Sequence, residues 1–267
     1  MSLHDTVKDH YGHADLADVI VRALSANGVD TAALKPTDLA PVDQLHAGFA
    51  PATEYVLDAL AVGPETRLFD VGCGIGGGSR MAAARGARVV GIDLTPEFIV
   101  SAQSLTDLTG LSDRITFVNS SADALDLPDA SFDAAMMIHV GMNISDKRAV
   151  FTEVRRLLAP GGRFAVFEQM RAGAGDLTYP LPWALDESSS FVATPEEYVA
   201  DLEAAGFTID STEDRTSFVA GSPPRGSSSP GLSPAVIFGP EFMTRIGNNV
   251  AASDDGILGA FLIVARC

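Results

Sequence analysis

The segment FDVGCGIGG, Phe69 to Gly77, closes an apolar run and opens a helical stretch. Glycines at such a junction let the backbone turn tightly, so that main-chain N–H groups and the positive end of a helix face a ligand. Gly72, Gly74 and Gly77 satisfy the G-x-G-x-x-G spacing of dinucleotide loops. Asp93 follows Gly72 by 93 − 72 = 21 residues, where a ribose-binding acid is expected. Asp70 argues for a different ligand. Two residues ahead of the first glycine, its carboxylate would confront a pyrophosphate held by the loop, and suits instead an ammonium or another positive charge. Cys73, inside the loop, reads as a small packing residue, and nothing marks it as a nucleophile.

The elements that must position these residues follow from the apolar pattern. RLFDV (Arg67 to Val71), RVVGID (Arg88 to Asp93), ITFV (Ile115 to Val118), FDAAMMIHV (Phe132 to Val140) and RFAVFEQ (Arg163 to Gln169) read as buried strands. Their apolar residues run on without alternating, as expected of a parallel sheet covered on both faces. Helices fit between them at Gly77 to Arg85, Pro96 to Leu108 and Ser145 to Leu158, the last with Ser145 as N-cap. A helix from Pro195 to Ala205, a strand starting at Phe207 and a final strand from Ile257 to Ala265 continue the alternation. This order implies right-handed crossovers and a doubly wound α/β sheet.

Ahead of the first strand the chain is helical. Asp15 to Asn27 and Pro51 to Gly63 carry helical faces, while Leu34 to Phe49, with two prolines, reads as an irregular connection. Tyr179 to Trp183 fits neither a regular helix nor a central strand, and Gly221 to Pro234 has the Gly, Ser and Pro content of a surface loop. The expected organisation is a helical cap over 1–63 and an α/β domain over 64–267, with insertions at 171–194 and 218–250.

With 18 Lys plus Arg against 35 Asp plus Glu the net charge is −17. Nucleic acids and anionic membranes are bound through clustered cations, so neither is expected as a partner. Two distant cysteines offer neither a disulfide framework nor a metal-ligand spacing, and no metal is expected. No uncharged apolar run reaches the roughly 18 residues of a membrane span, and the N-terminus lacks the apolar core of a signal peptide. A cytoplasmic location follows as the expectation.

FDVGCGIGG, GIDLTPEFI (Gly91 to Ile99), SADALDLP (Ser121 to Pro128) and LLAPGGRF (Leu157 to Phe164) together resemble the class I S-adenosylmethionine-dependent methyltransferases, in the family's order and spacing. The resemblance implies a Rossmann-like doubly wound seven-stranded sheet whose last strand is antiparallel, with an N-terminal helical lid. It implies S-adenosyl-L-methionine as cofactor and S-adenosyl-L-homocysteine as product. Gly72, Cys73, Gly74 and Gly76 would wrap the methionine part, with Asp70 beneath it. Asp93 would accept both ribose hydroxyls and Leu94 would lie against the adenine. Asp123 would accept from the adenine amino group, and the Ala124 N–H would donate to the ring. His139, ending the fourth strand, would support the methionine portion.

In shorter patches, Leu34 to Phe49, Met137 to Ile144, Leu181 to Leu185 and Gly239 to Asn249 look like the small-molecule methyltransferases related to the sarcosine and dimethylglycine N-methyltransferases. Phe49 stands where that resemblance expects a second glycine after Gly48. An amine acceptor is therefore expected, with a phenol, quinone or natural-product scaffold methylated on oxygen or carbon as the alternative. Candidate substrate contacts are Tyr11, Gln44, His46, Met142, Asn143 and Trp183, with His46 and His139 as candidates for positioning or deprotonating the acceptor. A monomer or homodimer is expected. A nicotinamide-dependent oxidoreductase, a module that binds the cofactor without chemistry, and a non-methylating reaction are the competing readings.

Overall fold

A computed structural model describes residues 16–220, 235–239 and 241–267. Tyr11 and the segment 221–234 lie outside the described residues. Three helices precede the sheet. α1 (Leu16–Ala26) buries Leu16, Ala17, Ile20 and Leu24 along one face, at the i, i+4 spacing of an amphipathic helix. α2 (Pro36–Asp43) occupies the stretch expected to be irregular. Pro36 sits in the first turn, where no N–H is needed, and the Lys35 N–H is taken by the Asp38 carboxylate at 2.9 Å. Pro41 forfeits one backbone bond, but Leu39 to Asp43 are all buried, and that packing sustains the helix. α3 (Phe49–Ala59) starts two residues before Pro51. Phe49 there adopts φ 48°, a left-handed conformation that favours the glycine expected at this position.

The sheet then builds as β1 (Arg67–Val71), α4 (Gly77–Ala84), β2 (Arg88–Asp93), α5 (Pro96–Leu108), β3 (Ile115–Asn119), β4 (Phe132–Ile138), α6 (Lys147–Leu157) and β5 (Leu158–Arg171). α7 (Pro195–Ala204), β6 (Thr208–Asp214), the short helices α8 (Thr216–Ala220) and α9 (Ala235–Phe238), α10 (Phe242–Asp254) and β7 (Leu258–Arg266) complete it. The order is β3-β2-β1-β4-β5-β7-β6. β1 to β5 pair in parallel, and β7 runs antiparallel to both β5 and β6. This is the seven-stranded doubly wound α/β sheet with a reversed last strand that the resemblance implied.

Two apolar layers cover the sheet. On one face Val56 and Leu57 of α3, Met81 and Ala82 of α4, and Ile99 and Ala102 of α5 pack over Leu68, Val89 and Met136. On the other, Val150, Phe151 and Val154 of α6 join Tyr198 and Leu202 of α7 against Phe69, Ala135 and Phe164. Burial of each such large side chain contributes about 1.5–3 kcal/mol. The N-cap of α6 is Asp146, which accepts from the Ala149 N–H at 3.0 Å, one residue beyond the expected Ser145. The cap is tied to the far edge of the sheet as well. The Tyr55 hydroxyl donates to Glu213 at 2.7 Å, and the Arg215 guanidinium lies 3.9 Å from the Tyr55 ring centre.

Candidate active site at the switch between β1 and β4

The strand order reverses between β1 and β4, which opens a crevice at the carboxyl ends of the strands. A cavity of about 800 Å³ lies there, roofed by the cap and by the segments following β4 and β5. Among the described residues no helix is long and apolar enough to span a membrane, and no cluster of three or more metal-ligating side chains is present.

The glycine loop forms its floor. Gly72, Gly74 and Gly76 all take left-handed conformations (φ 70°, 54° and 83°), but they face different ways. A Cβ on Gly72 would strike Val140 at 2.4 Å, whereas one on Gly74 would find only Leu45, 3.9 Å away. At Gly76 the missing side chain makes room for the Phe117 ring and the Arg80 guanidinium, which a Cβ would meet at 2.7 and 2.9 Å. Gly77 clears the cap, since a Cβ there would meet the Asp43 carbonyl at 2.5 Å.

Two carboxylates face this floor. Asp93 accepts from the N–H of Gly74 and of Thr95, 2.9 Å each, one on each oxygen. Burial raises its pKa, against the pull of those two N–H groups and of the Thr95 hydroxyl. Asp70 accepts from the Ser79 hydroxyl at 2.6 Å. Burial pushes it up to about 7, opposed by Ser79 and reinforced by Asp93. A buried carboxylate with one hydrogen bond and no cation is a site waiting for positive charge.

Leu94, 70% exposed, and Asp123 both line the cavity rim. Ala124 follows Asp123 in the chain. The Leu125 N–H is drawn to Glu153 at 2.9 Å, which turns the chain towards α6 and leaves Ala122 on the wall.

Gln44, His46, His139, Met142, Asn143 and Trp183 also line the cavity. His46 Nδ1 faces the Ala47 carbonyl at 3.1 Å, so that nitrogen carries the proton. Its Nε2 lies 3.0 Å from Thr53 Oγ1 and 3.2 Å from Gln44 Oε1. Burial, opposed by the Ala47 carbonyl and by the charge of Asp43, lowers the imidazole to about 4, so the ring is neutral at pH 7. His139 sits 5.8 Å away, ring centre to ring centre, in a left-handed conformation (φ 55°) held by its N–H donating to the Phe167 carbonyl. Burial, with His46 adding to it, holds its pKa well below the usual value. Its Nε2 is buried and has no partner among the described residues. Trp183 donates to Ser190 at 3.0 Å and packs on Met142 and Leu181.

Three residues important to this architecture were not singled out from sequence. Glu168 lies behind the wall on β5, where one carboxylate oxygen accepts from the N–H of both Val140 and Gly141 at 2.9 Å. Burial pushes it up to about 8, opposed by those N–H groups and by Lys147. Its signal was a lone acid inside an apolar strand. Arg80 reaches Asp43 across the floor of the cap. Arg245, on α10, lines the cavity from above.

The acceptors at the glycine loop fit a cofactor with a positive centre and a ribose. A methyltransferase domain family matches residues 69–166. The 27-O-demethylrifamycin SV methyltransferase of Amycolatopsis mediterranei is 30% identical over 75% of this chain and 76% of its own length. The sterol 24-C-methyltransferase of Yarrowia lipolytica is 29% identical over 60% of the chain. The chain spans only about half the length of most such curated relatives, 44% in the sterol enzyme. The [4+2]-cyclase SpnF superposes with a TM-score of 0.64 over 93% of this chain and 92% of its own, at 23% identity. The sheet order, the acid-lined glycine loop and the rifamycin-enzyme match lead to one family: the chain belongs to the class I S-adenosylmethionine-dependent methyltransferases.

Proposed function

We propose that the chain transfers a methyl group from S-adenosylmethionine to a hydroxyl of a bulky small molecule, with His139 accepting the hydroxyl proton. One observation carries this reading: His139 lines the cavity on a neutral ring, and its Nε2 has no partner among the described residues. A bare imidazole nitrogen accepts a hydrogen bond from an incoming O–H and takes the proton as the oxygen attacks. Asp70 would balance the positive centre, Asp93 would hold the ribose, and Asp123 would meet the adenine. When bound, the cofactor supplies an electrophilic methyl, so the chain's main task is to hold the acceptor oxygen in line and exclude water. Trp183, Met142 and Phe191 supply apolar wall for the acceptor scaffold. The volume of about 800 Å³ suits an occupant larger than the cofactor alone, and the likeness to the rifamycin enzyme supports an oxygen acceptor.

An amine acceptor is the second reading. It is favoured by Gln44, a cavity-wall amide beside His46 whose oxygen suits a nucleophile carrying several hydrogens. Both readings are tested by incubating the chain with methyl-labelled cofactor and a panel of phenols, alcohols and amines. Labelled ethers support the first and labelled amines the second. A labelled product from His139→Ala at the wild-type rate would remove the base. Because the fold also serves a cyclase, the readout is the transferred label and not substrate loss.

A further inference from the structure

Two arginines are buried among the described residues, and their circumstances differ. Arg80, fully buried, is matched by Asp43 at 2.8 Å. Arg245, 9% exposed, lines the cavity and makes no ion pair or hydrogen bond within the described residues. Its guanidinium therefore faces the cavity with no acceptor among the described residues, open to a ligand that carries one. Burial draws Arg245 below the ordinary arginine value, with Glu241 one turn earlier as the only group opposing it.

Its position gives that charge a direction. α10 runs from Phe242, in the apolar cluster beneath the cap, to Ala252, in the cluster around Trp183 and Met142, so Arg245 lies between the two. One turn further along, Asn249 Oδ1 is buried and also without a partner. Among the described residues Arg245 is the only lysine or arginine on the cavity wall. The acids on that wall are Asp70, Asp93 and Asp123 at the strand ends and the loops that follow them, Asp146 at the start of α6, and Asp43, which Arg80 occupies. Among the described residues Arg245 is therefore the one cation that the wall offers to an anionic group.

We propose that Arg245 recognises an anionic oxygen group, a carboxylate or phosphate, on the methyl acceptor, so that the substrate is an acid. The planar guanidinium presents parallel N–H donors that match such a group in a two-point contact. This inference rests on the methyltransferase reading of the same cavity.

The test uses the full chain saturated with S-adenosylhomocysteine. Benzoate, acetate and inorganic phosphate are titrated at constant ionic strength, with benzamide as the neutral control, and binding is read by calorimetry and by melting temperature. At least one anion should bind the wild type and raise its melting temperature, while benzamide should not. Arg245→Gln and the isosteric Arg245→Met should weaken that anion by about tenfold or more while holding S-adenosylhomocysteine within about twofold. Arg245→Lys should retain part of the effect. Three results overturn the inference: no anion preference in the wild type, equal anion binding in the variants, or a loss confined to S-adenosylhomocysteine. The last would assign Arg245 to the cofactor's own carboxylate. A wild type that binds no S-adenosylhomocysteine would instead remove the underlying reading and this one with it.

Discussion

The Asp43 carboxylate and the Arg80 guanidinium meet at 2.8 Å with neither side chain more than 1% exposed. The pair joins the end of α2 to α4, the helix that opens behind the glycine loop, and Arg80 also reaches Thr106 on α5 at 3.2 Å. Removing one member leaves the other charged and buried. Asp43→Asn or Arg80→Met should each cost about 3–5 kcal/mol, whereas the double variant Asp43→Leu/Arg80→Met should lose less than the two losses added together. Urea unfolding decides this, and strictly additive losses would show that the contact carries no coupling.

Asp70 ties cofactor binding to pH. Its carboxyl titrates near 7 without a cation, and a positively charged ligand requires the ionised form. Affinity for S-adenosylmethionine should therefore rise by about tenfold between pH 6 and pH 8, one proton being released on binding. Asp70→Asn should bind weakly at both values and flatten the slope. Calorimetry in buffers of different ionisation enthalpy counts the proton directly, and a wild type with no proton release contradicts the assignment.

Asp93 serves structure and ligand with the same two oxygens. Asp93→Ala removes the acceptors for Gly74 and Thr95 together with those offered to the ribose. Charge-assisted hydrogen bonds contribute about 1.5–3 kcal/mol each, so two lost ribose contacts should weaken S-adenosylhomocysteine by about 100-fold or more. Unaltered affinity would dissociate Asp93 from the ribose.

Glu168 should make the fold less stable as the medium becomes alkaline. Its folded pKa, about 8, is raised above the ordinary value of 4.5. The native state therefore holds a proton that the unfolded state has released, and stability falls as pH rises from about 4.5 through 8. Glu168→Gln keeps a carbonyl oxygen for the Val140 and Gly141 N–H groups but cannot ionise. The melting temperature of the variant should decline less between pH 5 and 8.5 than that of the wild type. Parallel curves for the two proteins would show that Glu168 does not titrate in this window.

Much of this architecture was legible in the residues because the forces concerned are local. Strands buried on both faces carry unbroken apolar runs, as Leu68–Phe69 of β1, Val89–Val90 of β2 and Ala134–Ile138 of β4 do. The glycine loop and Asp93 announce themselves through short spacing, and His46, Gln44, Met142, Asn143 and Trp183 all reach the cavity. What the residues did not reveal depends on distant partners. α2 is held by burial that offsets Pro41, and the partner that explains Asp43 lies 37 positions along the chain. α10 carries Gly247, Asn248 and Asn249 in its middle, poor helix formers that mask its periodicity. Gly76 and Ala124 fit their motifs by position, but Phe117 with Arg80, and Glu153, decide which way those segments face.

The placement of β7 between β5 and β6 bears on how the chain is made. A ribosome delivers β6 before β7, so β6 emerges with both edges unpaired. Its hydrogen-bonding groups stay open until residues 258–266 slot in beside it and close the gap to β5. The helical cap shares the delay, because Tyr55 can find Glu213 only across 158 positions of chain. Folding that proceeds from the amino end can therefore assemble β1 to β4 early, but it must hold an unfinished sheet edge during elongation. That interval leaves the edge open to pairing with another chain.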